Sequence, residues 1–182
     1  MERTTPPWRL MNAAERRRFW WGHWRLAMPG ITTLFLVVVM TAPLMVPVPV
    51  FPQLALLGIF VWAAFQPGLM PAWLAFLIGL VADLLFAMPL GINAALFAAA
   101  AAFVRFFESR YGHHAHGFDW GVATAVIIAF QLSTWQLMAL AGHPVPLPPM
   151  AWQVLTSVAA YPLVVAFCAA VQRGTFGAGT MR

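Results

Sequence analysis

Asp83 is the one carboxylate set inside a long apolar run of this 182-residue chain, and a charge at the centre of a membrane helix costs about 2.5 to 3.5 kcal/mol on insertion scales. It needs partners. If the chain reverses at Pro89 and Leu90, Asp83 falls roughly 9 Å below the turn on one helix and Asn93 roughly 6 Å below it on the next, at about 1.5 Å per residue. The N–H groups near Gly91 and Ile92 open that second helix and carry its positive dipole end. Gly79, one turn before Asp83, leaves the same face open to close helix approach. Arg105 lies about 18 Å beyond Asn93 and is out of reach. A proton or substrate relay wants several titratable groups, whereas a structural tie wants one acceptor among donors. No other Asp, Glu or His falls in the interior of an apolar run, Asp119 standing at the very start of one, so the tie is the favoured chemistry. If a single acceptor suffices, Asp83→Asn is tolerated and Asp83→Leu is not.

The remaining polar groups offer less. His113, His114 and His116 resemble a metal tract, but their spacing gives no helix face and no second ligand set, and a closed zinc site usually takes four ligands. Flanked by Gly112 and Gly117, they read as a polar loop, with no metal expected. Gln131, Ser133, Thr134 and Gln136, then Gln153, Thr156, Ser157 and Tyr161, are residues of the kind that tie membrane helices together; a vitamin-sized ligand is their sharper use. Gly-x-Ser-x-Gly, His-Glu-x-x-His, Walker-type glycines and paired carboxylates are absent from the sequence, which argues against an enzyme and leaves no cofactor expected. The single cysteine, Cys168, cannot form an intrachain disulfide and reads as a small packing residue.

These residues must be held in a bilayer. The chain is 62% hydrophobic and 8% charged, with no Asp, Glu, Lys or Arg from 26 to 82, against roughly a quarter charged in soluble domains. An all-α, polytopic bundle of six transmembrane helices is expected, at 30–46, 51–65, 71–88, 91–107, 118–141 and 150–171. A basic, aromatic cytoplasmic segment at 1–29 precedes this 30–171 transmembrane domain, and a short cytoplasmic tail at 172–182 follows. The first segment is too long and too charged for a signal peptide's n-region, so the first span reads as retained. Pro43, Pro47, Pro49 and Pro52 break one apolar stretch into two spans, since each ring removes a backbone donor. All ten basic residues are arginine. Arg3, Arg9, Arg16, Arg17, Arg18 and Arg25 precede the first span, Arg105 and Arg110 follow the fourth, and Arg173 and Arg182 follow the sixth. That one-sidedness places both termini in the cytoplasm. The net charge of +5 then needs no nucleic acid: Arg16, Arg17, Arg18 and Arg25 meet anionic lipid at the inner leaflet. Trp8, Phe19, Trp20, Trp21 and Trp24 interleave with them as in an interfacial helix, which Asn12 and Glu15 would open.

The segment Gly79-x-x-x-Asp83, five residues, then Pro89-Leu90-Gly91 and an apolar helix resembles the signature of the MreD family, small polytopic inner-membrane components of the bacterial rod-shape machinery. Pro52 opening the second span and the aromatic-rich run ending at Phe65-Gln66-Pro67 extend the resemblance over about 46–110. Gln53 stands where the family usually has Asp, and Asn93 where it often has His. The resemblance implies a non-enzymatic scaffold that binds MreC and links MreB filaments, indirectly, to RodA and its class B penicillin-binding partner. It makes Gly79, Asp83, Pro89, Leu90, Gly91 and Asn93 the motif that organises the partner surface. Such proteins also resemble, in fold, the substrate-binding subunits of energy-coupling-factor transporters, so a substrate-binding subunit for a vitamin-type solute is the alternative.

Overall fold

The computed structural model describes residues 13–41, 51–111, 116–143 and 146–176, and among them there are six helices and no strand. In chain order they are α1 (Ala13–Thr41), α2 (Leu54–Phe65), α3 (Ala72–Leu85), α4 (Ile92–Tyr111), α5 (His116–Leu140) and α6 (Leu147–Phe176). Three stretches are long and apolar enough to cross a membrane: Ile92–Arg110, Asp119–Leu140 and Leu147–Gly174. Ala27–Thr41, Leu54–Phe65 and Ala72–Leu85 are apolar but shorter.

Helix α2 is apolar on every face, and a helix of that kind belongs inside. Every residue from Ala55 to Ala64 is buried, and α1, α4, α5 and α6 pack around it. Its first N–H groups need partners from outside. One comes from α6, where Ser157 Oγ accepts from the Gln53 N–H at 2.8 Å and donates to the Gln153 carbonyl at 2.6 Å. Further along, the Phe60 and Tyr161 rings meet edge-on at 6.0 Å. Both helices advance together between these contacts, so α2 and α6 run parallel. Pro67, just beyond the end of α2, shares a cleft with Arg105 and Ser109 near the end of α4, which puts those two C-terminal ends together as well. Arg105, Arg110 in the last turn of α4 and Arg173 in the last turn of α6 therefore lie at one end of the bundle.

Several helix limits differ from the sequence expectation. Helix α1 is continuous from Ala13 through Pro29, running across the boundary expected at 29 and 30. The Thr32 and Thr33 hydroxyls bond carbonyls one turn back in this stretch, Thr32 to Met28 at 2.8 Å and Thr33 to Pro29 at 2.7 Å. Helix α6 starts at Leu147 rather than at 150, taking Pro148 and Pro149 into its first turn, where a missing N–H costs nothing. Inside α6, Pro162 deprives the Val158 carbonyl of its usual donor. The Trp120 indole of α5 supplies one, at 3.2 Å. His116 begins α5 instead of sitting in a loop. The connection through Pro43, Pro47 and Pro49, the N-terminal residues 1–12 and His113 and His114 lie outside the described residues.

Candidate functional site

Helix α3 ends early, at Leu85 instead of 88, because the chain turns through a left-handed residue at Ala87, φ 51°. The Met88 N–H reaches back to the Asp83 carbonyl at 3.0 Å, the six-to-one bond of a Schellman turn. An equivalent bond closes α5, from the His143 N–H to the Met138 carbonyl at 2.9 Å, but there Gly142 takes the positive φ, 81°. Beyond Ala87 the chain passes Pro89 and Leu90 and enters α4 at Gly91, φ 103°. The Gly91 carbonyl accepts the first bond of α4, from the Ala95 N–H at 2.9 Å, so Gly91 is the N-cap residue and has no side chain with which to cap.

Asp83 does the capping from the neighbouring helix. Its carboxylate is fully buried and faces the start of α4. Oδ2 accepts the Gly91 N–H at 2.8 Å and the Ala94 N–H at 3.3 Å, while Oδ1 accepts the Asn93 N–H at 3.0 Å. The Ile92 N–H goes to the Pro89 carbonyl at 3.4 Å. Every donor from Gly91 to Ala95 thus has an acceptor, and the negative group sits at the positive end of the helix dipole.

Close approach of the two helices depends on Gly79. A Cβ there would lie 2.5 Å from the Ala94 Cα and 2.6 Å from the Asn93 carbonyl oxygen, both backbone atoms that cannot swing aside. The structure therefore brings Gly79, Asp83, Gly91 and Asn93 together. Asn93 contributes its main chain to Asp83, while its buried side-chain amide donates to Met88 Sδ at 3.4 Å across the turn. Pro89 supplies a carbonyl, and Leu90 is 66% exposed at the apex. The turn lies at the end of the bundle opposite Arg105, Arg110 and Arg173. Arg16, Arg17, Arg18 and Arg25 fall on the backbone of α1, and their side chains lie outside the described residues.

A second polar set joins α5 to α6, where Gln131 Nε2 donates to Gln153 Oε1 at 2.8 Å. Gln131, Gln153 and Ser157 are visible in the sequence as polar residues in apolar runs, but the Gln53 partner of Ser157 is a backbone group that no residue type announces. Ala87 and Met88 were equally silent. The Trp120 bond had one signal, Pro162 in the middle of an apolar helix. Among the described residues no group of three or more His, Cys, Asp or Glu is placed to hold a metal ion. The chemistry on display is acceptance of backbone donors and fixation of a turn. Compared with known proteins, the chain matches no family, no curated protein and no solved structure.

Proposed function

We propose that this chain is a non-enzymatic, six-pass scaffold of the bacterial cell-elongation machinery, acting as MreD-type proteins do, with the Asp83 turn at the outer face of the inner membrane and both termini in the cytoplasm. One observation carries the reading: the residues of the Gly79-x-x-x-Asp83 and Pro89-Leu90-Gly91 segment serve a single clamp, in which a buried carboxylate accepts three backbone amides of the next helix. A carboxylate so committed favours a fixed surface over a relay. Leu84, Leu85 and Leu90 are exposed on and beside that turn, and in this reading they form the apolar surface that MreC contacts. RodA and the class B penicillin-binding protein are reached directly or through MreC, and MreB indirectly.

The six-pass arrangement is supported by the shared end of the described arginines, which the positive-inside tendency would hold in the cytoplasm. Short α2 is compatible with it, because a helix enclosed by protein need not match the lipid thickness. Helix α3, roughly 21 Å long at about 1.5 Å per residue, turns Trp73, Phe76, Leu77, Val81 and Leu84 outward and would be accommodated by local thinning of the bilayer.

Affinity capture from native membranes tests the proposal. MreC in the eluate, together with rounding of rod cells on depletion, is the expected outcome. Capture of transport ATPases, with shape retained and uptake of a small solute lost, would assign the chain to the vitamin-transporter reading instead.

A further inference from the structure

Between α5 and α6 the surface opens into a cleft of about 220 Å³, lined by Gln131 and Leu132 of one helix and by Met150, Ala151 and Val154 of the other. Small-molecule sites begin at roughly 300 Å³, so this cleft suits one inserted side chain better than a whole ligand. Gln131 is only 7% exposed. Its Nε2 donates to Gln153 Oε1 at 2.8 Å, while its own amide oxygen meets no donor among the described residues. Both helices belong to membrane-crossing stretches, Asp119–Leu140 and Leu147–Gly174, where neither water nor a hydrocarbon chain supplies the missing bond. The cleft is therefore complete only when its occupant brings an N–H or O–H group.

The chain carries such a donor at the same depth. Trp152 directly precedes Gln153, the partner of Gln131, and its ring is 56% exposed on the lipid side of α6. The Trp120 indole has an acceptor in the Val158 carbonyl, whereas the Trp152 indole has none among the described residues. Two copies inserted the same way up are related by an axis along the membrane normal, so each residue meets its partner's surface at its own depth. At about 100° per residue, Trp152 lies about 60° to one side of Leu155, and Ala151 on the cleft wall about 40° to the other. Leu155 is 62% exposed. With Leu155 on the axis, two-fold rotation carries the tryptophan of one copy to the cleft side of the other, and the exchange is reciprocal. The small side chain of Ala151 leaves room for that approach.

We propose that this chain pairs with a second copy of itself through α6, the Trp152 indole of each copy filling the α5–α6 cleft of the other and donating its N–H to the Gln131 amide oxygen. A lipid chain could fill the same space but would leave both polar groups unpaired. The pairing needs only that α5 and α6 cross the membrane, so it stands or falls independently of the scaffold reading.

Oxidative cross-linking in native membranes and energy transfer between labelled copies in liposomes test it. Leu155→Cys, at the axis, is expected to give a disulfide-linked band at twice the mass of the chain, while Leu77→Cys, 48% exposed on α3, gives none; the natural Cys168 is buried. In liposomes diluted with lipid, Trp152→Phe keeps a ring in the cleft but removes the donor, and should weaken association about threefold, the equivalent of one hydrogen bond between membrane helices. Gln131→Leu should do the same, and the double variant should associate no more weakly than either single one, because both remove one bond. If Gln131→Leu fails to accumulate, Trp152→Phe and the Leu155→Cys cross-link decide the matter. Absence of the dimer band from Leu155→Cys, association of Trp152→Phe equal to wild type, or independent losses in the double variant would overturn the proposal. So would cross-linking of Leu155→Cys to a protein of another mass without a dimer band, which would give the cleft to a different helix.

Discussion

Asp83 performs for α4 the task that an N-cap side chain performs from within a helix, because the N-cap position itself is Gly91. This changes what substitutions should do. A single-acceptor tie predicts tolerance of Asp83→Asn, but both carboxylate oxygens are used, and Oδ2 takes two donors, Gly91 and Ala94. An asparagine oxygen can serve one side only, leaving its NH2 group to face backbone N–H donors on the other. Asp83→Asn is therefore expected to lower stability by about 2 kcal/mol and Asp83→Leu by about 3 kcal/mol or more, since each unpaired buried donor costs about 1 to 3 kcal/mol; thermal melts in micelles check the order. Full stability of Asp83→Asn would mean that one oxygen is enough. Ala87, held at φ 51°, carries a strain of about 1 to 2 kcal/mol that glycine avoids. Ala87→Gly should raise the melting midpoint, and a fall would contradict the turn as described. The sequence made Asp83 legible as a tie through its isolation in an apolar run. It named the N–H groups near Gly91 and Ile92 as the donors, whereas Gly91, Asn93 and Ala94 serve Asp83, Ile92 bonds Pro89, and the Asn93 side chain turns to Met88 Sδ; main-chain donors are common to every residue type, so no side chain marks which of them is used.

Helices in this chain repair one another's missing backbone bonds. Asp83 of α3 caps α4, Ser157 of α6 serves the start of α2, and Trp120 of α5 serves the carbonyl that Pro162 leaves open in α6. Such repair is what a medium without water demands. Trp120→Phe keeps most of the ring and removes the donor, so it should cost about 1 to 2 kcal/mol, with faster amide exchange around Val158 to Pro162 as the local sign. No change in exchange there would show that Val158 has another donor. Gly79→Ala tests the α3–α4 approach, where a methyl would sit 2.5 Å from the Ala94 Cα. Separation of the two helices should stretch the Asp83 bonds and cost about 1 to 3 kcal/mol, as overpacking does; unchanged stability would argue that α4 moves freely against α3. Six apolar runs were readable as six helices because composition and proline breaks mark them. Their limits were less readable: prolines at 148 and 149 look like a stop but fit a first turn, and the end of α3 depends on a left-handed alanine that no glycine flags.

Across the whole molecule, the Asp83 turn lies at the end opposite Arg105, Arg110 and Arg173. Cysteine labelling in intact cells addresses the orientation: a cysteine at Leu90 should react with a membrane-impermeant reagent from outside, and one at Arg173 only after the membrane is opened. Reaction of both from the same side would refute opposite-sided placement. Partner recognition is the part of the account that composition and helix limits never encoded, since it rests on a short motif and on exposed leucines. Leu90 is the residue through which to test it, being 66% exposed at the apex and outside the bonds that fix the turn. The most direct measurement is capture of MreC from native membranes by the wild-type chain and by Leu90→Glu at equal abundance. The account predicts MreC in the first eluate and its loss from the second. Absence of MreC from the wild-type eluate, or equal capture by both chains, would contradict it.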